Sequence, residues 1–141
     1  MKIFALSITL TAALAQAGSD RPPMRNIVSM SDLMVKIIYP TSDELFYIVR
    51  GAPTTEKGWN DLQSQMLMMA EAANLLMDSR AQDKGKWMQD AKLLLDVGQK
   101  AYKLAKAKDT KGLEDLNTEL YNACVTCHED YRPRYGKRPR P

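Results

Sequence analysis

The sequence LEDLNTELYNACVTCHEDY, residues 113–131, carries the pattern from which the fold is predicted. Its apolar residues recur every three or four positions, which places them along one face of an α-helix. These residues are Leu113, Leu116, Leu120, Cys124, Cys127 and Tyr131. The alternation of apolar and polar residues that indicates a half-buried strand is absent. The stretch therefore predicts a helix with one buried face.

Three further apolar stripes with helical spacing precede this one, and residues 54–132 contain no proline that would interrupt a helix. The first stripe, which is less regular, is Ile27, Met30, Met34, Ile37, Thr41, Leu45 and Ile48. The second is Trp59, Leu62, Met66, Met69, Ala73 and Leu76, and the third is Trp87, Ala91, Leu94, Gly98, Ala101 and Ala105. Four helices joined by short loops predict an all-α protein, specifically an antiparallel four-helix bundle.

Turn and capping residues mark the ends of the predicted helices. Gly51-Ala52-Pro53 is expected to end the first helix, and Thr54 or Thr55 to cap the second. Asp109-Thr110 is expected to cap the fourth helix. Pro40 lies inside the first helix, where we expect it to kink or split the helix.

The predicted fourth helix contains the sequence Cys124-Val125-Thr126-Cys127-His128, a C-x-x-C-H motif typical of c-type haem attachment. Positions 124, 127 and 128 share one side of a helix. Two thiols can therefore form thioethers with the haem vinyl groups while the imidazole coordinates the iron. The motif predicts one covalent haem c, attached through Cys124 and Cys127 near the C-terminal end of the last helix, with His128 as the proximal axial ligand.

Three other interpretations of the motif are possible. A thioredoxin-like redox pair would normally lie at the start of a helix in an α/β fold. A zinc site would lack a ligand, because the chain has two cysteines and one histidine. The third alternative is a chance occurrence in a structural helix. The haem interpretation is preferred because an export signal, described below, accompanies the motif.

The position of the motif near the carboxyl end of a four-helix chain resembles the class II c-type cytochromes, the cytochrome c′ and cytochrome c-556 group. His128-Glu129-Asp130-Tyr131-Arg132 is similar to the aromatic and basic residues that follow the haem histidine in that family. Trp87-Met88-Gln89-Asp90-Ala91 is similar to the start of its third helix. The resemblance implies a proximal role for Arg132 beside the haem, and a homodimer as in many relatives. Alternatively, Arg132 only opens a solvated basic tail.

The resemblance implies that the residue facing the second axial position of the iron comes from the first helix. Since His128 is the only histidine, a second histidine ligand within the chain is excluded by count. The resemblance implies a methionine ligand in the c-556 type and an apolar residue that leaves the iron open in the c′ type. Met34 matches this position best, and Met30 is the second choice. Alternatively, Met34 is only a core residue, since methionine commonly fills gaps. The chain departs from the family at Met30, where many relatives have an arginine, and at Pro40.

These residues predict a periplasmic monohaem cytochrome that transfers single electrons between periplasmic redox proteins. The alternative is a five-coordinate haem protein that binds nitric oxide or carbon monoxide. An enzyme such as a peroxidase is not expected, because there is no distal histidine and no obvious acid–base group on the inward face of the first helix.

Composition and the amino terminus complete the prediction. The 141 residues suffice for one domain, and a net charge of +3 gives no reason to expect a nucleic-acid partner. Met1-Lys2, an apolar run and Ala15-Gln16-Ala17 predict a signal peptide over residues 1–17 rather than a buried helix. The run is too short to span a membrane. We expect the haem domain over residues 18–132 and a flexible basic tail over residues 133–141.

Overall fold

The computed structural model describes residues 24–132, 135 and 136, and the regular secondary structure among them is helical, with no β-strand. The helices are α1 (Met30–Leu33), α2 (Tyr39–Phe46), α3 (Ile48–Gly51), α4 (Glu56–Met77), α5 (Lys86–Ala107), α6 (Thr110–Asp115) and α7 (Asn117–Tyr131). A π-helical turn, Met34–Ile38, joins α1 to α2. The prediction of an all-α protein is confirmed. The predicted signal peptide lies outside the described residues, as does most of the predicted tail.

Within the described residues, none of the helices combines the length and apolar character needed to cross a membrane.

The second and third predicted helices are the continuous helices α4 and α5, which pack along each other in opposite directions. At the connected end, the Trp87 indole N–H donates a hydrogen bond to the Leu76 carbonyl oxygen at 2.7 Å. Further along, a Cβ added to Gly98 would stand only 2.8 Å from the Ala70 Cα, so glycine permits a close approach of the two backbones. Every residue of the two predicted stripes is buried, as expected.

Two capping predictions are confirmed. The Thr55 side chain accepts a hydrogen bond from the Gly58 N–H at 3.1 Å, and α4 begins at the next residue. The Asp109 side chain accepts one from the Gly112 N–H at 2.9 Å at the start of α6. The predicted fourth helix is, however, divided into α6 and α7 at Leu116. The Leu116 N–H bonds to a carbonyl three residues back, which tightens the helix at that point.

Pro40 alters the first helix without ending it. Proline has no N–H group and its ring clashes with the preceding turn of an α-helix. The chain adopts the π-helical turn Met34–Ile38 just before it, and α2 then contains Pro40 in its first turn. The hydroxyl of Thr41 donates to the Ile37 carbonyl oxygen at 2.8 Å, which satisfies a backbone acceptor in the widened turn. The predicted interruption at Pro40 therefore takes the form of a π-helical turn, which inserts one extra residue into the helix just before the proline.

The first predicted stripe is correct over most of its length but wrong at its start. Ile27 precedes α1 and is 92% exposed. The helix begins later because the Ser29 side chain caps α1 by accepting a hydrogen bond from the Asp32 N–H at 3.0 Å. The rest of the stripe divides into partly buried Met30, Met34 and Ile37 and buried Thr41, Leu45 and Ile48.

Helix α7 packs on α5 in the opposite direction, while α2 packs on α4. Near the start of α7, Glu119 pairs with Lys100 at 2.5 Å. Near its end, Asp130 pairs with Lys86 at 2.6 Å. These contacts place the end of α7, which carries the C-x-x-C-H motif, against the start of α5.

Candidate functional site

The C-x-x-C-H motif lies where the apolar stripe of the last helix comes to the protein surface. The stripe residues Leu113, Leu116 and Leu120 are buried, whereas Cys124, Cys127 and Tyr131 are partly exposed. His128 is partly exposed as well. Both thiols and the imidazole therefore border on the core while keeping access to solvent.

A cavity of about 40 Å³ lies beside the motif, facing the first helical segment. Cys124, Cys127 and His128 line it from α7, and Met34 lines it from the π-helical turn. The other lining residues are Ile38, Leu76, Asp90, Ala91, Leu94 and Ala123. The structure thus brings four of the predicted site residues to one cavity, although they are separated by up to 94 positions between Met34 and His128.

The remaining two candidate residues lie outside this cavity. Met30 lines a different pocket, described below. Arg132 follows α7 and is exposed, with its guanidinium 5.8 Å from the centre of the Tyr135 ring. The Tyr135 ring centre is in turn 5.2 Å from that of His128. Arg132 therefore neighbours His128 through Tyr135, a residue that the sequence did not single out.

The surroundings of the motif hold its three side chains in their uncharged forms at neutral pH. Burial raises the pKa of the Cys124 thiol. Burial, followed by the nearby negative charge of Asp90, raises the pKa of the Cys127 thiol to about 11. Burial, followed by the positive charge of Arg132, lowers the pKa of His128 and favours the neutral imidazole, which has a lone pair free for a metal. A redox-active C-x-x-C pair normally has a lowered thiol pKa, whereas the pKa of both thiols is raised here, which disfavours the thioredoxin-like interpretation.

One carboxylate lines the cavity, and it is paired. Asp90 is only 4% exposed, and the Lys86 Nζ lies 3.2 Å from each of its carboxylate oxygens. The same ammonium group lies 2.6 Å from Asp130, two residues after the motif histidine. Its two carboxylate partners raise the pKa of Lys86, which keeps it charged and offsets the cost of burying Asp90. The four-residue spacing of Lys86 and Asp90 could have been found in the sequence, but not the contact with α7.

Aromatic contacts fix the end of α7 beside the cavity. The Tyr131 ring meets Trp87 edge-on, with 4.8 Å between the ring centres. The Tyr131 hydroxyl donates a hydrogen bond to Asp83 at 2.5 Å, and this bond raises the pKa of Tyr131 to about 12. The last turn of the motif helix is therefore anchored both to α5 and to the loop that precedes it.

The donor set around the cavity fits a c-type haem. Two thiols and a neutral imidazole line it from one helix, and a thioether sulfur lines it from another element. The rest of the lining is apolar except for the paired Asp90. A tetrapyrrole is larger than this cavity of about 40 Å³, so the cavity as it stands could enclose only part of a haem.

No protein-family model, curated protein or solved structure matches the chain. The resemblance to class II c-type cytochromes therefore stays a prediction. Any functional conclusion depends on the chain's own residues and their placement.

Proposed function

We propose that this protein is a periplasmic monohaem c-type cytochrome that transfers single electrons between redox proteins. The observation that carries the proposal is the convergence of Cys124, Cys127 and His128 with Met34 on one cavity. A bound haem would supply an iron that alternates between the ferrous and ferric states.

Each of the four residues has a distinct role in the proposal. Cys124 and Cys127 would hold the haem through thioether bonds, and His128 would bind its iron on the proximal side. Met34 would bind the iron on the distal side, where a methionine raises the redox potential relative to a second histidine. Arg132 belongs to the proximal surroundings of the haem, at the outer side of His128. The proposal assigns no general acid or base, and Asp90, the carboxylate that lines the cavity, is paired with Lys86.

The proposed architecture is an antiparallel four-helix bundle. It is supported by the opposed packing of α4 with α5 and of α5 with α7, and by the packing of α2 on α4. In this architecture, the first helical segment contributes Met34 and the last contributes the motif. The proposed export through residues 1–17 agrees with haem attachment outside the cytoplasm. A basic tail after residue 132 would steer the protein towards an acidic partner surface.

A second candidate function is the binding of nitric oxide or carbon monoxide by a five-coordinate haem. Ile38 favours this alternative, because it is buried and lines the same cavity from the same π-helical turn as Met34. If Ile38 rather than Met34 faced the iron, the distal side would be apolar and open to a small gas.

An absorption spectrum of the exported, purified protein tests the proposal. We expect a low-spin haem in the wild type and in Met30→Ala, whose side chain lies outside the cavity. Met34→Ala should become high-spin and bind carbon monoxide readily. A high-spin wild type that binds carbon monoxide would favour the gas-binding alternative. A low-spin spectrum unchanged in Met34→Ala would exclude Met34 as the ligand.

A further inference from the structure

A second pocket, of about 360 Å³, lies beside the cavity at the motif. Met30 and Arg80 line the second pocket. Met30 is four residues before Met34, and Arg80 is four residues after Leu76; both Met34 and Leu76 line the first cavity. Met30 and Met34 are about one helical turn apart, and Arg80 lies just after the end of the helix that contains Leu76, so the two sites are neighbours. The rest of the second pocket is lined by Asn26, Val28, Ser29, Ser79, Ala81 and Gln82, and it contains no acidic residue.

Arg80 is buried in this pocket with part of its guanidinium unused. The residue is 8% exposed, and its Nη2 donates a hydrogen bond to the Val28 carbonyl oxygen at 3.0 Å. Its Nε is buried and has no hydrogen-bond partner within the described part of the chain. None of the ion pairs between residues 24 and 136 that the structure describes includes Arg80.

Among the described residues, the buried guanidinium of Arg80 has no negatively charged partner, and its own chemistry indicates which group would pair with it. Burying a charge is unfavourable unless it is paired and hydrogen-bonded. The planar fork of donors in arginine matches the two oxygens of a carboxylate. The nearest acidic residue along α1, Asp32, is engaged elsewhere, with its oxygens at 2.9 Å from both the Ser29 hydroxyl and the Lys36 Nζ.

The walls of the pocket are held by hydrogen bonds between its two sides. The Asn26 Nδ2 donates to the Ser79 carbonyl oxygen at 3.1 Å, and the Ser79 hydroxyl donates to the Asn26 Oδ1. These bonds join the segment before α1 to the segment after α4. The pocket that Arg80 lines is therefore bounded by two connecting segments that are hydrogen-bonded to each other.

We propose that Arg80 binds a carboxylate in this pocket, and that the carboxylate is a propionate of a haem held in the neighbouring cavity. The choice of propionate rests on the proposed function, whereas the carboxylate chemistry rests on Arg80 and its pocket. A free small carboxylate is the other source of the same chemistry. The positive charge of Arg80 would offset the negative charge of the propionate beside the iron and so stabilise the reduced state.

The first arm of the test is the midpoint potential of the exported holoprotein. Arg80→Gln should lower the potential, and Arg80→Lys should lower it less because the charge is kept. Arg50→Gln is the matched control, because it removes the same charge from an exposed position on α3. A merely structural role of Arg80 would reduce the melting temperature without moving the potential.

The second arm separates the two sources of carboxylate. The melting temperature of the wild type and of the variants is measured in sodium acetate and in sodium chloride of equal ionic strength. A lower potential in Arg80→Gln without an acetate effect supports the haem propionate. An acetate stabilisation lost in Arg80→Gln, with no change in potential, supports a free carboxylate and overturns the propionate.

If Arg80→Gln does not fold, the comparison uses Arg80→Lys. If Arg80→Gln changes neither the midpoint potential nor the stabilisation by acetate, the proposed carboxylate site is refuted. A purified protein without haem would refute the proposed function, while the acetate arm would still test Arg80.

Discussion

Substitution of Trp87 tests how much its contact between α4 and α5 contributes to the free energy of unfolding. The side chain is 3% exposed, and its indole N–H donates to the Leu76 carbonyl oxygen at 2.7 Å. Trp87→Phe keeps an aromatic ring near Tyr131 but leaves that carbonyl without its partner. An unsatisfied buried polar group costs about 1–3 kcal/mol. The lost ring volume adds about 1 kcal/mol. We therefore expect the free energy of unfolding to fall by about 2–4 kcal/mol.

The other tryptophan supplies the matched control. Trp59 is also buried, at 8% exposure, and its indole makes no hydrogen bond within the described residues. Urea unfolding followed by circular dichroism gives the free energy for both variants. Trp87→Phe should cost about 1–3 kcal/mol more than Trp59→Phe, because only Trp87 loses a hydrogen bond. Equal losses would refute the inference that this bond holds α4 to α5.

Two further predictions concern the packing around the site. Gly98→Ala should lower the free energy of unfolding by about 1 kcal/mol, because overpacking against the Ala70 backbone outweighs the gain in helix propensity. Gly51→Ala, where a Cβ meets nothing within 4 Å, should be neutral or stabilising in the same urea titration. Lys86→Met should lower the melting temperature more than Lys92→Met does, because only Lys86 neutralises a buried carboxylate that lines the cavity. If Lys86→Met and Lys92→Met lowered the melting temperature equally, the ion pair of Lys86 with buried Asp90 would contribute no more to stability than the exposed ion pair of Lys92 with Asp96.

The parts of the fold that depend on the helical spacing of apolar residues and on helix-capping residues were predicted from the sequence. The stripes that begin at Trp59 and Trp87 are buried throughout, since a regular helix keeps every such residue on one face. The helix caps at Thr55 and Asp109 depend on neighbouring residues only, and both are present. The exposed Ile27 was not predicted, because helical spacing alone does not fix the residue at which a helix starts.

The π-helical turn was missed because Pro40 predicts an interruption without specifying its form. A kink, a break and a one-residue insertion all remove the clash that proline causes. Thr41 was a usable signal, since its hydroxyl can bond a backbone carbonyl close to the turn. The turn matters to the site because Met34 is its first residue.

Four of the predicted site residues line one cavity, whereas the residues that surround them were not predicted. The motif spacing places Cys124, Cys127 and His128 together, and the family resemblance singled out Met34. The structure brings all four to one cavity. The contacts of Arg80 and of Asp130 join residues far apart in the chain. Such pairs leave no periodic trace in a single sequence.

The most direct test of the central claim is whether haem stays covalently bound to the polypeptide. The full-length protein would be produced in a host that exports and matures c-type cytochromes, then denatured and extracted with acidified acetone. We predict that the haem absorbance remains with the wild-type chain and is lost from the Cys124→Ala, Cys127→Ala double variant. A wild-type protein whose haem is absent or extracted, or a double variant that retains covalent haem, would contradict the account.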